Sequence, residues 1–332
     1  MNKAVRRALG AIAIAGSITV AAGCSSSDSS STTTTVAAPA ASTVDGLFTL
    51  GRPVVLGHAG GEDVAPHSTM YAFAESVRAG VDILDIDIQR TKDGVLIVQH
   101  DDTTKRTTET NANIADLTYA QVNALDNGYW FSKTCGGTCT GQADDDYIFR
   151  GIRTGAVAPP AGYSADDFAV VKFSDVAERW PDYVLNIEIK GKGSDAYVTA
   201  QLLADEIARL GRTDSTVVTS FEDDVVNKFH EFAPKVRMSP GLNVMTAYVL
   251  AGGSIPTWEN ILQVPPEYQG IKVFDAAFVE KTKADGLFNW VWPNGVDEDV
   301  AGYMALFTQG ADGINASDPF AGVEALKQFE AQ

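Results

Sequence analysis

Positive charge, histidine and cysteine are all scarce in this chain of 332 residues. It contains 25 Lys and Arg residues against 43 Asp and Glu residues, four histidines and three cysteines, and its formal net charge is −18. Nucleic-acid binding requires basic surface that neutralises phosphates, so this balance excludes a nucleic-acid partner. No feature of the sequence implies a protein partner. With four histidines, only four positions can act as an imidazole acid, base or ligand.

The sequence also lacks the Gly-x-Gly-x-x-Gly motif of a dinucleotide-binding fold, so that fold gains no support. An apolar, small-residue segment at positions 8–22 is too short to span a membrane. It follows a positive segment with Lys3, Arg6 and Arg7 and ends at Gly23 and Cys24, which is the pattern of an export signal. We therefore predict a signal peptide over residues 1–23 and an extracytoplasmic protein.

The residues before Cys24 are Ala, Ala and Gly, which resembles a bacterial lipobox and makes Cys24 a candidate lipidation site. We expect a membrane-anchored lipoprotein; the alternative is a simple secretory signal with a chance cysteine and a secreted protein. Residues 25–43 are almost wholly Ser, Thr and Ala and cannot bury enough apolar surface to fold. We predict a flexible tether over residues 24–46 and a folded domain over residues 47–332.

The other two cysteines, Cys135 and Cys139, enclose a Gly-Gly-Thr segment. In an oxidising compartment we expect them to form a disulfide, which would staple a local loop rather than the core. A two-thiol metal site is the alternative, but no further Cys or His lies nearby in sequence.

Strand and helix patterns alternate along most of the chain, which favours a parallel sheet, either doubly wound or closed into a barrel. Polar residues end several of the predicted strands, notably His58, Glu188 and Asp318. Catalytic groups gathered from several strand ends are typical of an α/β TIM-type (β/α)8 barrel, which we predict here. Residues 103–170 are rich in Asn, Gly, Asp and Thr, and we interpret them as a loop-rich insertion over one face of the domain, of a length that is typical of lids and binding loops.

The segment from residue 84 to residue 101 carries the strongest chemical signal. Asp85 and Asp87 are two residues apart in an apolar strand, so both side chains project from the same face. A Lys-Asp-Gly turn follows, and if Arg90 pairs with Val95, His100 lies opposite Asp85, although this register could slip by one residue. A half-exposed strand without function is the alternative for the two acids alone.

Glu188 and Lys190 likewise share one face of a strand between isoleucines. Buried charges must be paired or bound to a metal, and three carboxylates without cysteine select a hard cation, Ca²⁺ or Mg²⁺. Asp85, Asp87 and Glu188 are therefore the predicted metal ligands, and Lys190 is a candidate for neutralising a substrate phosphate. His58 and His100 form the predicted acid–base pair. We interpret the remaining histidine of the C-terminal half, His230, as an ordinary surface or packed residue.

From about Val54 to Pro319 the chain resembles the glycerophosphodiester phosphodiesterase family, on several motifs in the family's order. The motifs are His58-Ala59-Gly60, Pro66-His67-Ser68-Thr69, Asp85-Ile86-Asp87-Ile88, Thr91-Lys92-Asp93-Gly94, His100-Asp101, Arg106-Thr107-Thr108, Leu185-Asn186-Ile187-Glu188-Ile189-Lys190, Ser220-Phe221, Gly310-Ala311-Asp312-Gly313-Ile314 and Asp318-Pro319. The resemblance implies a TIM-barrel phosphodiesterase that uses a divalent cation and a His pair to release glycerol 3-phosphate and an alcohol from a small phosphodiester. It also implies that the insertion over residues 103–170 lies near the substrate, where the family carries its inserted region.

The chain departs from this family pattern at three positions. Ala59 replaces an arginine that contacts phosphate, His67 replaces a motif glutamate, and Asp85 replaces a longer acidic ligand. A substitute cation is expected from Lys190, Arg90, Arg150 or Arg153, and His67 is a candidate because it precedes a helix whose N-terminus favours anions.

These departures leave two other functions open. One is a phosphodiesterase of the same barrel that acts on phospholipid or on a wall polymer. The other is a degenerate barrel that binds a phospho-ligand without turnover.

Overall fold

The structure, a computed structural model, describes residues 38–332. The predicted signal peptide, the candidate lipidation site Cys24 and the tether as far as residue 37 lie outside the described residues.

Thirteen strands lie within residues 38–332. They are β1 (Val54–Gly57), β2 (Ile83–Arg90), β3 (Leu96–Val98), β4 (Phe131–Ser132), β5 (Gly137–Thr138), β6 (Val184–Ile189), β7 (Thr216–Thr219), β8 (Arg237–Met238), β9 (Ile261–Val264), β10 (Glu267–Tyr268), β11 (Ile271–Lys272), β12 (Phe288–Val291) and β13 (Gly313–Ala316).

The same residues form ten α-helices and several short 3₁₀ turns. The helices are α1 (Val44–Phe48), α2 (Met70–Ala79), α3 (Tyr119–Asn123), α4 (Phe173–Arg179), α5 (Gly193–Leu210), α6 (Asp223–Phe232), α7 (Leu242–Ala251), α8 (Ala276–Ala284), α9 (Val300–Gln309) and α10 (Pro319–Glu330). In this described part, no helix combines the length and the apolar character needed to cross a membrane.

Eight of the strands form one parallel sheet in the order β8-β7-β6-β2-β1-β13-β12-β9, and β3 pairs with β2 in the antiparallel direction. Helices lie between successive strands, and the sheet curls into a nearly closed barrel. The predicted (β/α)8 barrel is therefore confirmed. Because all eight strands run the same way, their carboxyl ends meet at one face, where side chains from distant parts of the chain can share a site.

Strand periodicity divides the barrel into an apolar base and a polar upper half. Ile83, Asp85 and Asp87 share the inward face of β2. Val184, Asn186 and Glu188 share the inward face of β6. The lowest inward residues belong to one apolar cluster with Trp290. Polar side chains therefore begin one layer above the base and face the carboxyl-end opening.

Residues that face outward pack against the helices and form the main hydrophobic core. Leu84, Ile86 and Ile88 of β2 belong to this core, as do Leu203 and Ile207 of the long helix α5. Helix ends follow local sequence signals: Thr69 caps α2 by accepting a hydrogen bond from the Ala72 amide at 3.1 Å, and Gly80 ends it with φ of 93°.

Helix α1 closes the amino-end base of the barrel. Val44 and Leu47 are almost completely buried in the basal cluster, and the Phe48 ring stacks on Phe288 with centroids 3.8 Å apart. Residue 47, where the folded domain was expected to begin, therefore lies inside a packed helix. The helix has only five residues, which are too few to show a helical period in the sequence.

The insertion over residues 103–170 contains α3, the β4–β5 hairpin and several 3₁₀ turns. It buries two small clusters of its own, one around Val122 and Val170 and one around Phe131, Phe149 and Phe168. The insertion is thus an ordered subdomain beside β3 and α2 rather than an open loop.

Candidate active site

A cavity of about 460 Å³ opens at the carboxyl-end face of the barrel. It is lined by the two histidines and three carboxylates that the sequence indicated, which are His58, Asp85, Asp87, His100 and Glu188. Lys190 lines the same cavity. Strands β1, β2 and β6 and the segment after β3 deliver them, so residues up to 130 positions apart meet in one place.

Strand pairing places the acids side by side. In the parallel ladder of β2 and β6, Asp85 pairs with Asn186 and Asp87 pairs with Glu188. The predicted β2–β3 register is wrong by one residue, because Arg90 pairs with Leu96 rather than Val95. The Thr91 hydroxyl accepts a hydrogen bond from the Val95 amide at 3.0 Å and holds the turn in that longer form. Strand β3 ends at Val98, so a loop rather than the ladder carries His100 to the cavity.

Asp85 is held by two amide side chains. Its carboxylate oxygens accept hydrogen bonds from Asn186 Nδ2 at 2.6 Å and from Asn315 Nδ2 at 3.0 Å. Asn186 in turn exchanges two hydrogen bonds with Gln263, at 2.9 and 3.0 Å. Burial raises the pKa of Asp85, and the charge of His58 and the two amide donors, which favour the carboxylate, only partly offset this effect.

Lys190 lies between the other two carboxylates. Its Nζ is 2.9 Å from Asp87 Oδ1 and 2.8 Å from Glu188 Oε2. Burial alone would raise the pKa of Asp87, but the ammonium and His100 outweigh it and hold that pKa below its usual range. Burial prevails at Glu188, whose pKa is raised. The ammonium therefore serves as the counter-ion of this acidic pair.

The predicted metal ligands line one cavity, and the Lys190 ammonium lies between two of them. Among residues 38–332, no three His, Cys, Asp or Glu side chains are arranged to hold a metal ion. The donor chemistry nevertheless fits a hard cation, because three oxygen ligands on neighbouring strands face one cavity. Asp87 Oδ2 is buried without a hydrogen-bond partner, which leaves one lone-pair donor available to a cation.

His58 follows β1 and is held by residues from two directions. Its Nδ1 lies 3.1 Å from Ser317 Oγ and 3.2 Å from Glu62 Oε1. Burial lowers the pKa of His58, but the hydrogen bond and charge of Glu62, with the charges of Asp85 and Asp87, raise it to about 10. His58 is therefore a protonated imidazole whose orientation is fixed.

The backbone after His58 is tightly turned. Ala59 adopts φ of 47°, a left-handed conformation that is uncommon for a residue with a Cβ. At Gly60, an added Cβ would come within 2.9 Å of Ala72 Cβ, so glycine is required for the turn to pack on α2. This turn is what brings Glu62 back onto the imidazole.

His100 is the more accessible histidine, with 45% of its side chain exposed. Its Nδ1 lies 2.8 Å from Asp101 Oδ1, and Arg106 Nη2 lies 3.2 Å from the same oxygen. The other end of the Arg106 guanidinium is 3.9 Å from Glu62 Oε2. Arg106 thus connects the two acids that orient the two histidines.

His67, predicted to bind substrate, is not among the residues that line the cavity. It is 1% exposed, and its Nδ1 lies 3.1 Å from Ser68 Oγ. Burial and the positive charge of Arg106 lower the pKa of His67 to about 4, so its ring is neutral at pH 7. A neutral, enclosed imidazole offers a phosphate no positive charge in this arrangement, and the substrate-binding role of His67 stays a prediction.

The arginines considered as substitutes also lie elsewhere. The guanidinium of Arg150 sits 3.7 to 4.9 Å from the ring centroids of three aromatic residues, and Arg153 pairs with Asp166. No residue of the described insertion, 103–170, lines the cavity, so its expected position at the substrate is not observed. Of the cations considered, Lys190 alone lines the cavity within the described chain.

Cys135 and Cys139 lie within the insertion, away from the cavity. Their sulfur atoms are 1.95 Å apart, at disulfide distance. The predicted ordinary role of His230 agrees with its packing, since its ring stacks on Trp258 with centroids 4.0 Å apart.

Sequence reasoning missed Glu62, Asn186, Gln263, Asn315 and Ser317. Asn186 had a detectable signal, because it lies two residues before Glu188 on the same strand face. Glu62 lies four residues after His58, but the tight turn that joins them could not be anticipated. Gln263 and Asn315 lie in strands far along the chain, Ser317 directly follows β13, and none of the three had a local signal.

Comparison with known proteins agrees with this site. Residues 58–315 match the Glycerophosphoryl diester phosphodiesterase family. A glycerophosphodiester phosphodiesterase from Caldanaerobacter subterraneus subsp. tengcongensis is 26% identical over 274 residues, which cover 81% of this chain and 95% of the relative.

Two solved structures show the same fold. A glycerophosphodiester phosphodiesterase from Agrobacterium tumefaciens str. C58 gives a TM-score of 0.60 at 21% identity and covers 82% of this chain and 99% of that one. A phosphodiesterase from Oleispira antarctica, solved in complex with the product sn-glycerol-3-phosphate, gives a TM-score of 0.60 at 19% identity and covers 83% and 97% of the two chains.

Barrel, cavity and family match together define an enzyme of the phosphodiesterase class. The family match spans most of the described residues and includes His58, His100 and the strands β2 and β6 that carry Asp85, Asp87 and Glu188. The chain belongs to the glycerophosphoryl diester phosphodiesterase family.

Proposed function

We propose that this phosphodiesterase hydrolyses glycerophosphodiesters to glycerol 3-phosphate and a free alcohol. The observation that carries this proposal is the convergence of two oriented histidines and three carboxylates with Lys190 in one carboxyl-end cavity. The name of the Caldanaerobacter relative and the product bound to the Oleispira phosphodiesterase support the substrate class.

The two histidines would divide the proton transfers between them. His100, oriented by Asp101, accepts the proton of the attacking water or substrate hydroxyl as the new phosphorus–oxygen bond forms. His58, held protonated by Glu62, donates its proton to the alcohol oxygen as the second phosphorus–oxygen bond breaks. Lys190 would balance negative charge on the phosphoryl oxygens.

A divalent cation, Ca²⁺ or Mg²⁺, belongs to this proposal, with Asp85, Asp87 and Glu188 as its ligands. It would supply Lewis-acid stabilisation of the phosphoryl oxygens. The unpartnered Asp87 Oδ2 and the oxygen-only donor set support this assignment.

The direct test is choline release from glycerophosphocholine by the full folded chain, with and without added Ca²⁺ or Mg²⁺. We expect turnover that a chelator removes and that excess cation restores. Lipid vesicles and wall polymer assayed in parallel would decide the related phosphodiesterase alternative. Calorimetric binding of glycerophosphocholine without any turnover would contradict the proposal and favour a binding-only barrel.

Replacing Glu62 by Gln should narrow the pH range of activity on its alkaline side. Glu62 raises the pKa of His58, so the variant should lose the protonated imidazole at lower pH than the wild type. Because a general acid must be protonated to act, kcat should begin to fall at lower pH, while the acidic limb set by the base changes little. The measurement is a full pH–rate profile.

Glu75→Gln is the matched control, since Glu75 is a part-buried glutamate that pairs with Arg78 outside the cavity. It should leave the profile unchanged. An alkaline limb at the same pH in wild type and Glu62→Gln would show that Glu62 does not tune His58.

We also propose that the protein is exported and anchored through lipidated Cys24, and that Cys135 and Cys139 form a disulfide. The N-terminal sequence supports the first, and the 6.5 Å separation of the two cysteine Cα atoms supports the second. Release of Cys24→Ser from the membrane fraction tests the anchor. A mass increase of two alkylated thiols that requires prior reduction tests the disulfide.

A further inference from the structure

The insertion over residues 103–170 has no part in the chemistry proposed above, because none of its residues lines the cavity. It nevertheless packs against the segments that carry the cavity histidines. At Gly137, an added Cβ would lie 3.0 Å from the carbonyl oxygen of Glu62, so the β4–β5 hairpin lies directly against the turn that orients His58. This contact places the insertion where it can support the site from outside the cavity.

Two buried amide side chains join the insertion to the segment of His100. Gln99, directly before His100, and Asn127, in the insertion, are each 2% exposed. Gln99 Nε2 donates hydrogen bonds to Asn127 Oδ1 at 2.5 Å and to Thr107 Oγ1 at 3.1 Å. The Gln99 backbone amide also donates to the Asp87 carbonyl at 3.0 Å. The side chains of Gln99 and Asn127 thus form an amide bridge that holds the His100 segment between β2 and the insertion.

The other end of the amide bridge reaches the turn after His58. Asn127 Nδ2 donates a hydrogen bond to the carbonyl oxygen of His67 at 3.3 Å. The N–H of the same peptide unit, which belongs to Ser68, donates a hydrogen bond to the carbonyl oxygen of Ala59 at 2.8 Å. Because Ala59 directly follows His58, a continuous path of hydrogen bonds connects the two segments that carry the cavity histidines.

The turn at the end of this path has an unfavourable backbone conformation. Ala59 has a φ of 47° and Ser68 has a φ of 60°, and Gln269 is the only other non-glycine residue with a positive φ in the described chain. Such conformations persist only where the surrounding structure imposes them. The hydrogen bond between Ala59 and Ser68, and the amide bridge behind it, are contacts of this kind.

Packing alone does not require amides at these two positions. Hydrocarbon side chains would fill the same space without the cost of removing polar groups from water. A fully bonded buried network instead specifies one arrangement and makes it rigid. The proposed chemistry needs such an arrangement, because the base and the acid act on different oxygens of one phosphorus centre and an error of about 1 Å can lower the rate about 100-fold.

We propose that Asn127 is a positioning residue of the insertion, which fixes the location of His100 relative to His58 through Gln99 and through the peptide between His67 and Ser68. This inference rests on the proposed phosphodiesterase function and assigns the insertion a part in it. The insertion then acts as a clamp across the two histidine segments rather than as a lid over the substrate.

The test replaces each member of the amide bridge with an apolar residue of similar shape, in Asn127→Leu and Gln99→Met. We expect kcat for choline release from glycerophosphocholine to fall about tenfold in each variant of the full chain, because the histidine segments are no longer fixed relative to each other. KM should stay within twofold, since neither residue lines the cavity. Gln99→Met is the milder change, because Asn127 keeps its hydrogen bond to the turn, and it carries the test if Asn127→Leu does not fold.

The double variant shows whether the two amides act as one connection. If they do, its kcat should equal that of Asn127→Leu within twofold, whereas independent effects would multiply to about 100-fold. Asn289→Leu is the matched control, because Asn289 is a fully buried amide that donates to Thr282 Oγ1 at 2.7 Å and does not line the cavity. It should lower the melting temperature and leave kcat within twofold of the wild type.

The ring signals of the histidines give a readout that does not depend on turnover. The chain has only four histidines, so labelling them with ¹⁵N gives few ring signals, which His58→Ala, His100→Ala and His230→Ala would assign. In Asn127→Leu, the ring signals of His58 and His100 should both shift. The ring signal of His230, which lies outside the cavity, should not.

The outcomes separate this inference from the function on which it rests. Wild-type kcat in folded Gln99→Met, multiplied losses in the double variant, or an equal loss in Asn289→Leu would overturn the positioning role and leave the proposed function standing. A wild-type protein that releases no choline would contradict the proposed function. The ring signals would then decide the clamp: a joint shift of His58 and His100 supports it, and an unchanged His58 signal in Asn127→Leu overturns it.

Discussion

Replacing His100 by alanine should lower kcat for choline release from glycerophosphocholine by about 10²–10⁴-fold, the usual contribution of a positioned general base. Thermal stability should change little, because 45% of the His100 side chain is exposed and its hydrogen-bond partner Asp101 is retained by Arg106. KM should change less than kcat, since the proton transfer matters in the transition state and not in substrate binding. Steady-state kinetics and a melting curve of the same preparation measure both effects.

His100 gives a cleaner test than His58. Alanine at position 58 would leave Glu62 facing Asp85 and Asp87 without the imidazolium that offsets their charge. A fall in activity would then combine the loss of a catalytic group with repulsion among these carboxylates. His100 lies at the edge of the cavity, so its removal changes the catalytic group with less effect on the other charges.

His230→Ala is the control for loss of an imidazole outside the cavity, where the ring only stacks on Trp258. It should retain wild-type kcat. A wild-type kcat in His100→Ala would contradict the proposed role of His100 as general base. Recovery of activity in that variant on addition of imidazole would support the role.

The barrel was predictable because strand and helix periods differ and because polar residues ended several apolar strands. Asp85 and Asp87 on β2 and Glu188 on β6 carried both signals at once, so the same residues indicated the architecture and the site. Their convergence follows from a property of parallel sheets, namely that all carboxyl ends lie on one face. Strand alternation fixed which residues share a face but could not fix which residues pair across a hairpin, and there the register differed by one.

Helix α7 was not predicted, so the sequence interpretation missed the apolar residues Leu242, Met245, Val249 and Leu250 that line the cavity. Asn243 and Thr246 are its only polar residues, which is too few to define a polar face and a helical period. Amphipathic periodicity detects helices that lie between core and water. A helix between core and ligand site loses that signal, which is why the polar half of the site was accessible to sequence reasoning and the apolar half was not.

His67 is the opposite case, a residue that the sequence assigned to the site but that does not line the cavity. Its position before helix α2 suggested an anion site, since the exposed amides of a helix N-terminus attract negative charge. In the structure the Thr69 side chain caps that helix and His67 is enclosed. Proximity in sequence to a helix start cannot show whether a side chain reaches the cavity, because burial depends on the insertion that packs against this turn.

Replacing Lys190 by Met should destabilise the cation-free protein by about 2–4 kcal/mol, because two buried carboxylates lose their shared counter-ion. Without the ammonium the pKa values of Asp87 and Glu188 should rise in the folded state. An acid with a raised folded-state pKa binds protons more tightly when folded, so its stability contribution is lost as pH increases. The difference from wild type should therefore be larger at pH 8 than near pH 4, and unfolding curves at both pH values measure it.

Divalent cations should restore stability to Lys190→Met more than to the wild type. In the present arrangement the ammonium lies between Asp87 and Glu188, so a cation must compete with it or displace it. Without Lys190, the two carboxylates are free to bind the cation without competition. Because a ligand that binds the folded state raises the melting temperature, the variant should respond more strongly to added cation. Turnover should nevertheless fall about 100-fold, because the cation cannot replace the separate positive charge that Lys190 offers the phosphate.

Lys192→Met is the matched control, since Lys192 is exposed and lies two residues further along the same segment. It should leave melting temperature, cation response and turnover unchanged. If Ca²⁺ and Mg²⁺ raise the melting temperature of Lys190→Met no more than that of Lys192→Met, the three carboxylates do not form the cation site. Asp85, Asp87 and Glu188 would then act with Lys190 as a closed ion-pair network, and the phosphodiesterase chemistry would have to proceed from the protein's own cations.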